Sequence, residues 1–282
     1  MTLHDLKVKI IDQLSPVVGK TESSAMARII VEDVLGIDFI KTITDSNREI
    51  EDETYNKVNS ICRRIIAGEP LQYIIGSTVF HGLRLNVRPG VLIPRPETSA
   101  LVDIVIDAVK DKPDLRILDV CTGSGAIAVS LGRSLSFPHI TAVDISAEAL
   151  LIAKENVANL GLKNIDLLQS DILADGLPVG EYDIVISNPP YVLESERKDI
   201  DRRVIDYEPQ IALFVPDNNP LVFYEKIAAD AFNLLKTGGL IFFEINPTQA
   251  GAIKKLLSNL GYKDVECRRD FAGRYRYAIA QR

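Results

Sequence analysis

Apolar residues recur at helical spacing from the start of the chain to about residue 70. Leu6, Ile10, Ile11 and Leu14 make one stripe, and Met26, Ile29, Ile30 and Val34 make a second behind the capping-type run Thr21-Glu22-Ser23-Ser24. A third stripe, Val58, Ile61, Cys62, Ile65 and Ile66, is stopped by Gly68 and Pro70. These stripes predict a small bundle of three or four short helices as a first domain, residues 1–74. From Gly76 the period changes to two. The run STVFHGLRLNV alternates around His81-Gly82, which predicts a β-hairpin connector over residues 75–93 with Gly82 supplying the turn. In VLIPRPETSA the prolines flanking Arg95 argue against regular structure, and Glu97 to Ala100 open the next helix.

After Pro113 apolar runs and amphipathic runs alternate. Strands are expected at 115–120, 139–144, 165–171, 182–187 and 239–245, with helices near 125–134, 146–160, 220–235 and 248–260. Repeated βα units of this kind imply an α/β domain, residues 94–282, with a mainly parallel sheet covered on both faces. The end differs. KDVECRRD and RYRYAIAQ are joined only by Phe271-Ala272-Gly273, a link so short that the pair must be antiparallel.

Composition narrows the field without naming a function. The chain of 282 residues is 46% hydrophobic and 25% charged, within the range of globular proteins that bury a sizeable core. No apolar run approaches the ~20 residues that span a bilayer. The N-terminal MTLHDLKVKIIDQL interleaves charge with its apolar positions, so a cytoplasmic location and no membrane partner are expected. Three scattered cysteines without a CxxC pair, and three histidines, argue against a zinc site and a disulfide framework; no metal is expected. A formal charge of −7 lowers the case for a nucleic-acid partner. The mixed run ESERKDIDRR, Glu194 to Arg203, is read as a solvated face.

Candidate chemistry sits at the ends of the expected strands. LDVCTGSGAIA feeds a strand through a Gly-rich turn into a helix, which brings backbone N–H groups and a helix N-terminus to a ligand. Gly123 and Gly125 allow close approach, and Gly123-Ser124-Gly125-Ala126-Ile127-Ala128 also fits the dinucleotide pattern, so an oxidoreductase is one alternative. Asp144 closes the second strand, where an acid can take both hydroxyls of a ribose. Asp171 closes the third, within reach of an adenine amino group. Either aspartate alone reads first as a helix N-cap, but acids at Asp119, Asp144 and Asp171 mark the sheet edge where open α/β proteins bind ligands. The fourth strand stops at Asn188-Pro189-Pro190-Tyr191. Asn188 and the Pro189 carbonyl can accept both hydrogens of a planar –NH2 group, and Tyr191 offers a ring to stack on its plane. Such a clamp suits methyl transfer to an amide or exocyclic amine nitrogen, whose lone pair is otherwise withdrawn into the π-system, and positioning can suffice for it.

With these residues in view the chain resembles the class I S-adenosylmethionine-dependent methyltransferases. Within them it is similar to the HemK/PrmC-type enzymes that methylate the side-chain amide of a glutamine in peptide chain release factors. GEPLQYIIGSTVFHG, VLIPRPET, LDVCTGSGAIA, VDISAEAL, ISNPPY, YEPQIAL and DFAGRYR carry the resemblance, which covers nearly the whole chain. It implies a Rossmann-like sheet and a helical N-terminal domain that docks the substrate. It also implies S-adenosylmethionine as cofactor, with S-adenosylhomocysteine as product, and a monomer acting on the Gly-Gly-Gln loop of release factors. It places Thr122, Gly123, Ser124, Gly125, Asp144 and Asn188 in the cofactor pocket and Asp171 near the adenine. Asn188, Pro189, Pro190 and Tyr191 hold the glutamine amide, with Arg95, Pro96 and Glu97 bordering the cleft and Glu208-Pro209 closing over the peptide.

Three positions depart from the family pattern. Cys121 stands where the first glycine is usual, so that position is not expected to require a positive φ. Ser99 replaces an acid, and Asn246 follows Glu244 where glycine is common; Glu244 itself is expected to face the cofactor cleft. The sister enzymes acting on a ribosomal-protein glutamine tend to carry P-R-S-P in place of Pro94-Arg95-Pro96-Glu97. They, the nucleic-acid amino-methyltransferases and an inactive binding module are the remaining alternatives.

Overall fold

The computed structural model describes residues 1–110 and 112–282. It divides into two compact units, residues 1–77 with 201–207, and residues 78–200 with 208–282.

Five helices open the first unit: α1 (Leu3–Val18), α2 (Lys20–Leu35), α3 (Phe39–Thr44), α4 (Asp52–Ile66) and α5 (Leu71–Ile75). Thr2 caps α1 through a reciprocal pair of bonds with Asp5, which satisfies two N–H groups the helix cannot. Leu3, Leu6, Ile10 and Leu14 of α1 pack with Ile30 and Val31 of α2 and with Val58, Ile61, Cys62 and Ile65 of α4. The expected stripes of α1 and α4 thus supply most of the faces that meet, but Ile66 is exposed, and on α2 Ile29 is exposed and the buried face is Ser23, Ala27, Ile30 and Val31. Each Leu, Ile or Val side chain fully buried there contributes about 1.5–3 kcal/mol. Gly19 ends α1 at φ +81, and Gly36 ends α2 in the left-handed conformation.

The second unit begins within the hairpin β1 (Ser77–Phe80) and β2 (Leu83–Asn86). His81 and Gly82 both have positive φ (48° and 74°), the turn whose twist suits a two-residue hairpin. Then follow α6 (Pro96–Ala108), β3 (Arg116–Val120), α7 (Ala126–Ser134), β4 (His139–Asp144), α8 (Ala147–Asn159), β5 (Ile165–Gln169), β6 (Tyr182–Ser187) and β7 (Val192–Leu193). The short α9 (Arg202–Tyr207) clusters with the helical unit, where Arg203 bonds Glu22 (2.8 Å) and the Tyr207 hydroxyl donates to the Ala67 carbonyl (3.3 Å). Last come β8 (Phe214–Val215), α10 (Val222–Leu234), β9 (Leu235–Glu244), α11 (Ala250–Asn259), β10 (Lys263–Arg269) and β11 (Tyr275–Gln281).

The principal sheet has seven strands in the order β10-β11-β9-β6-β3-β4-β5. Neighbours from β9 to β5 are parallel, and β10 and β11 are antiparallel. Both faces are buried. Leu118, Val120, Val185, Ile241 and Phe243 pack beneath α10 and α11, whereas Ile117, Ile184, Ile186 and Phe242 pack beneath α6 and α7. The chain enters at the central β3, runs outward to β5, then returns to β6 on the other side of β3. Strand order thus reverses between β3 and β6, and the crevice beyond their carboxyl ends is the place such sheets hold ligands.

Boundaries differ from expectation at three places, each for a local reason. Pro96 is itself the first residue of α6, where its missing N–H costs nothing. The third strand ends at Gln169, leaving Asp171 in the loop beyond it. β9 starts at Leu235 through an irregularity in its pairing with β6, with Gly238 at φ +80 inside it. The solvated-face reading fits Arg202, 91% exposed, but not Arg197, whose guanidinium stacks over Phe214 (4.0 Å) and donates to Gln210 (2.6 Å). No described helix is long and apolar enough to cross a membrane.

Candidate active site

Two neighbouring cavities open at the carboxyl edge of the sheet. The larger, about 310 Å³, is lined by Gly90, Leu92, Thr98, Cys121, Thr122, Gly123, Ser124, Asp144, Asp171, Asn188, Pro190, Pro209 and Phe223, among others. The smaller, about 60 Å³, is lined by Leu92, Arg95, Asn188, Pro189, Tyr191, Val192, Ala212, Leu213 and Glu244. Asn188 lies on the wall of both. Four of the residues expected at the site lie on neither: Pro96, Glu97, Gly125 and Glu208.

Backbone conformation builds the wall of the larger cavity that follows β3. Cys121, Gly123 and Gly125 all have positive φ (61°, 56° and 79°), which overturns the expectation that position 121 need not adopt it. The chain leaving β3 must swing toward β4, where the Thr122 N–H meets the Val143 carbonyl (3.0 Å), before starting α7; alternate left-handed residues achieve this. An unbranched Cβ lets Cys121 take the conformation at a cost of about 1–2 kcal/mol. Desolvation, with Asp144 adding to it, pushes its thiol well above the ordinary range, so it is not a reactive thiolate. Gly125 serves packing instead of the cavity: a Cβ there would lie 3.2 Å from that of Ala153 on α8. At Gly90, φ is +111° and a Cβ would sit 2.5 Å from the Glu148 side chain.

The acids at this edge have different tasks. Asp119 is fully buried beneath the turn and lines neither cavity; its Oδ2 accepts from the Thr122 hydroxyl (2.6 Å) and the Ala128 N–H (3.1 Å). Burial pushes its carboxyl up to about 7, and its Oδ1 has no partner among the described residues. Asp144 faces the cavity. Its two oxygens accept from the Gly123 N–H (2.8 Å) and the Ser146 N–H (2.9 Å), which orients the carboxylate while each oxygen keeps acceptor capacity. Asp171, which also lines the cavity, accepts from the Leu173 N–H (3.0 Å). Asn156, unnoticed in the sequence, ties the hairpin to the turn: it donates to Ser124 O (2.9 Å) and Asn86 O (3.1 Å) and accepts from Asn86 N (2.6 Å).

Side chains from distant parts of the chain build the smaller cavity. Asn188 follows β6, and its Nδ2 donates to Thr98 Oγ1 (3.1 Å) on the first turn of α6. Thr98 in turn donates to Glu244 Oε2 (2.7 Å) at the end of β9, and the Tyr191 hydroxyl donates to Glu244 Oε1 (3.0 Å). Glu244 therefore lies behind the Asn188–Tyr191 turn and lines the smaller cavity, not the larger one as expected. Burial pushes its carboxyl up, while the two hydroxyls and the Arg276 guanidinium oppose the shift. Asn246 holds the turn as well, donating to Tyr191 O (3.2 Å) and Glu196 Oε2 (3.0 Å), contacts a glycine could not make. Glu208, almost wholly buried, accepts from the Ile93 N–H (2.9 Å) and from Arg95 (2.5 Å), so the Pro94-Arg95-Pro96 segment is pinned from below. Asn156 gave no signal in the sequence, and Thr98 none beyond its place in VLIPRPET, because their roles depend on partners many residues away.

Sheet order, Gly-rich edge and paired cavities together make this a class I methyltransferase fold. A solved methyltransferase from Pyrococcus furiosus shares it at TM-score 0.53 and 19% identity, over 78% of this chain and 96% of that one. A ribosomal protein L11 methylase from Lactobacillus delbrueckii gives 0.51 and 23%, over 70% and 83%. Residues 98–210 match the family model Methyltransferase small domain, and residues 16–76 match PrmC N-terminal domain. The release factor glutamine methyltransferase of Bacteroides thetaiotaomicron is 39% identical over 281 residues, 99% of this chain and 100% of the relative. That of Lactococcus lactis is 42% identical over 208 residues, 74% and 75% of the two chains. The chain belongs to the release factor glutamine methyltransferase family and is an enzyme, a methyltransferase.

Proposed function

We propose that this protein transfers a methyl group from S-adenosylmethionine to the side-chain amide nitrogen of the glutamine in the Gly-Gly-Gln motif of peptide chain release factors. The observation that carries the reading is that Asn188 borders both cavities. Methyl transfer needs a donor site and an acceptor site that meet at a polar group, and Asn188 stands where they adjoin.

The residues around the larger cavity fit S-adenosylmethionine. Asp144 retains acceptor sites for a pair of ribose hydroxyls, and the turn from Thr122 to Ser124 lets backbone approach the methionine end. Asp171 and Leu173 form the wall suited to the adenine. When bound, the cofactor supplies an electrophilic methyl on a sulfonium. The chain's task is then to hold a weak nucleophile against it. Asn188 and the Pro189 carbonyl accept the two amide hydrogens, which returns electron density to nitrogen and fixes the direction of its lone pair. Tyr191 stacks on the amide plane, while Leu92, Val192 and Leu213 exclude water. Arg95, which lines the smaller cavity, is assigned to the peptide carbonyls beside the glutamine, and the helical unit to docking the release factor.

Incubation with methyl-labelled S-adenosylmethionine and equimolar release factor, ribosomal protein and RNA tests the reading. Label is expected in the release factor. Label confined to RNA or to ribosomal protein would overturn it.

A further inference from the structure

The direction of the hydrogen bonds behind the clamp carries information that its sequence does not. Asn188 is useful as an acceptor only if its carbonyl oxygen faces the substrate; rotated by half a turn, it would present an N–H group to another N–H group. Nothing in the residue itself decides between these states, since its two ends differ little in size. The decision must come from its neighbour. Thr98 Oγ1 has one hydrogen and lies 3.1 Å from the Asn188 amide nitrogen and 2.7 Å from Glu244 Oε2. A carboxylate only accepts, so the Thr98 hydrogen is committed to Glu244 and the Thr98 lone pairs are left for Asn188. Asn188 must then turn its –NH2 end to Thr98 and its oxygen away. The same carboxylate takes the Tyr191 hydroxyl on its other oxygen (3.0 Å), which fixes the ring as well. Thr98 is 5% exposed and Glu244 1%, so bulk water does not compete for these bonds. Burial raises the Glu244 carboxyl, while the two hydroxyl donors and Arg276, itself held by Asp270 (3.3 Å), favour its acceptor-only form.

We propose that Thr98 and Glu244 are positioning residues that set the polarity of the clamp, committing the Asn188 amide to act as an acceptor toward the substrate nitrogen. This rests on the function proposed above, but its test need not. Glu244→Gln introduces an –NH2 group that can donate to Thr98, which reverses the relay and frees Asn188 to turn over. Thr98→Val removes the relay with little change in shape, and Thr98→Ser keeps it.

Turnover and cofactor affinity should be measured on the full chain with purified release factor, alongside hydrogen exchange of the Asn188 side-chain –NH2, assigned by its loss in Asn188→Asp. Thr98→Val and Glu244→Gln are expected to lower kcat about 10- to 100-fold while the S-adenosylmethionine Kd moves less than about threefold. Thr98→Ser should recover most of the loss, and the double variant should be no worse than the poorer single one. In the wild type the Asn188 –NH2 hydrogens should be protected, and in Thr98→Val they should exchange freely. Full turnover in a folded Thr98→Val, or unprotected Asn188 hydrogens in the wild type, would overturn the proposal. Should Glu244→Gln fail to fold, the Val and Ser variants decide alone. A wild type that shows protected hydrogens but leaves release factor unlabelled would count against the assigned substrate and leave the polarity of the clamp standing.

Discussion

The turn after β3 and the turn after β6 are neighbours at one sheet edge, yet they are held by different means. The first is shaped by backbone conformation: three left-handed residues in five, with Asp119 and Asp144 accepting N–H groups from the turn and the helix behind it. The second contains no such strain. Its two prolines stiffen it; Thr98 and Glu244 bond the Asn188 and Tyr191 side chains and Asn246 the Tyr191 carbonyl, from two remote stretches of the chain. A backbone-built site suits a ligand gripped along its length. A side-chain-built site suits one small group that must be presented in one orientation.

The sharpest way to break this comparison is Asn188→Ala. It should lower turnover by about 10³-fold and leave the S-adenosylmethionine Kd within a few fold, because in the proposed reaction the group removed acts on the reacting nitrogen. Equal loss of both would assign Asn188 to the cofactor instead. Asp144→Ala should do the reverse, weakening the cofactor Kd, measured by calorimetry, about 100-fold through lost charge-assisted hydrogen bonds. An unchanged Kd would remove the ribose role. Tyr191→Phe comes next. Since its hydroxyl is bonded to Glu244, the loss in kcat should be about 10-fold, and Tyr191→Ala should be worse still; no effect of Phe would reduce Tyr191 to a stacking surface. The smallest effects test the backbone turn. Cys121→Val should destabilise the protein by about 2 kcal/mol in urea, since a β-branched residue resists φ +61°, while Cys121→Gly should lie within about 1 kcal/mol of wild type.

The same contrast explains what could be read from the sequence. Alternation and helical spacing located the strands of the sheet and the helices that cover it, because each pattern is local. Asn188-Pro189-Pro190-Tyr191 was legible as the turn that ends β6, and as the proposed clamp, because its four residues are adjacent. Its support was not: Thr98 looks like a helix-start threonine and Glu244 like a strand-end acid until β9 is laid beside β6 and α6 is seated against them. Cys121 was misjudged because glycine was taken as the mark of positive φ, whereas the demand comes from where β3 must send the chain. Grouping of residues 201–207 with the helices was equally hidden, since it depends on contacts such as Arg203 with Glu22.

The most direct test of the central claim is where the methyl group ends up. After reaction of the purified enzyme with S-adenosylmethionine and intact release factor, peptide fragmentation by mass spectrometry should place one added methyl on the glutamine side chain of Gly-Gly-Gln and nowhere else. A methyl on any other residue, or a release factor unchanged in mass under conditions where S-adenosylmethionine is consumed, would contradict the account.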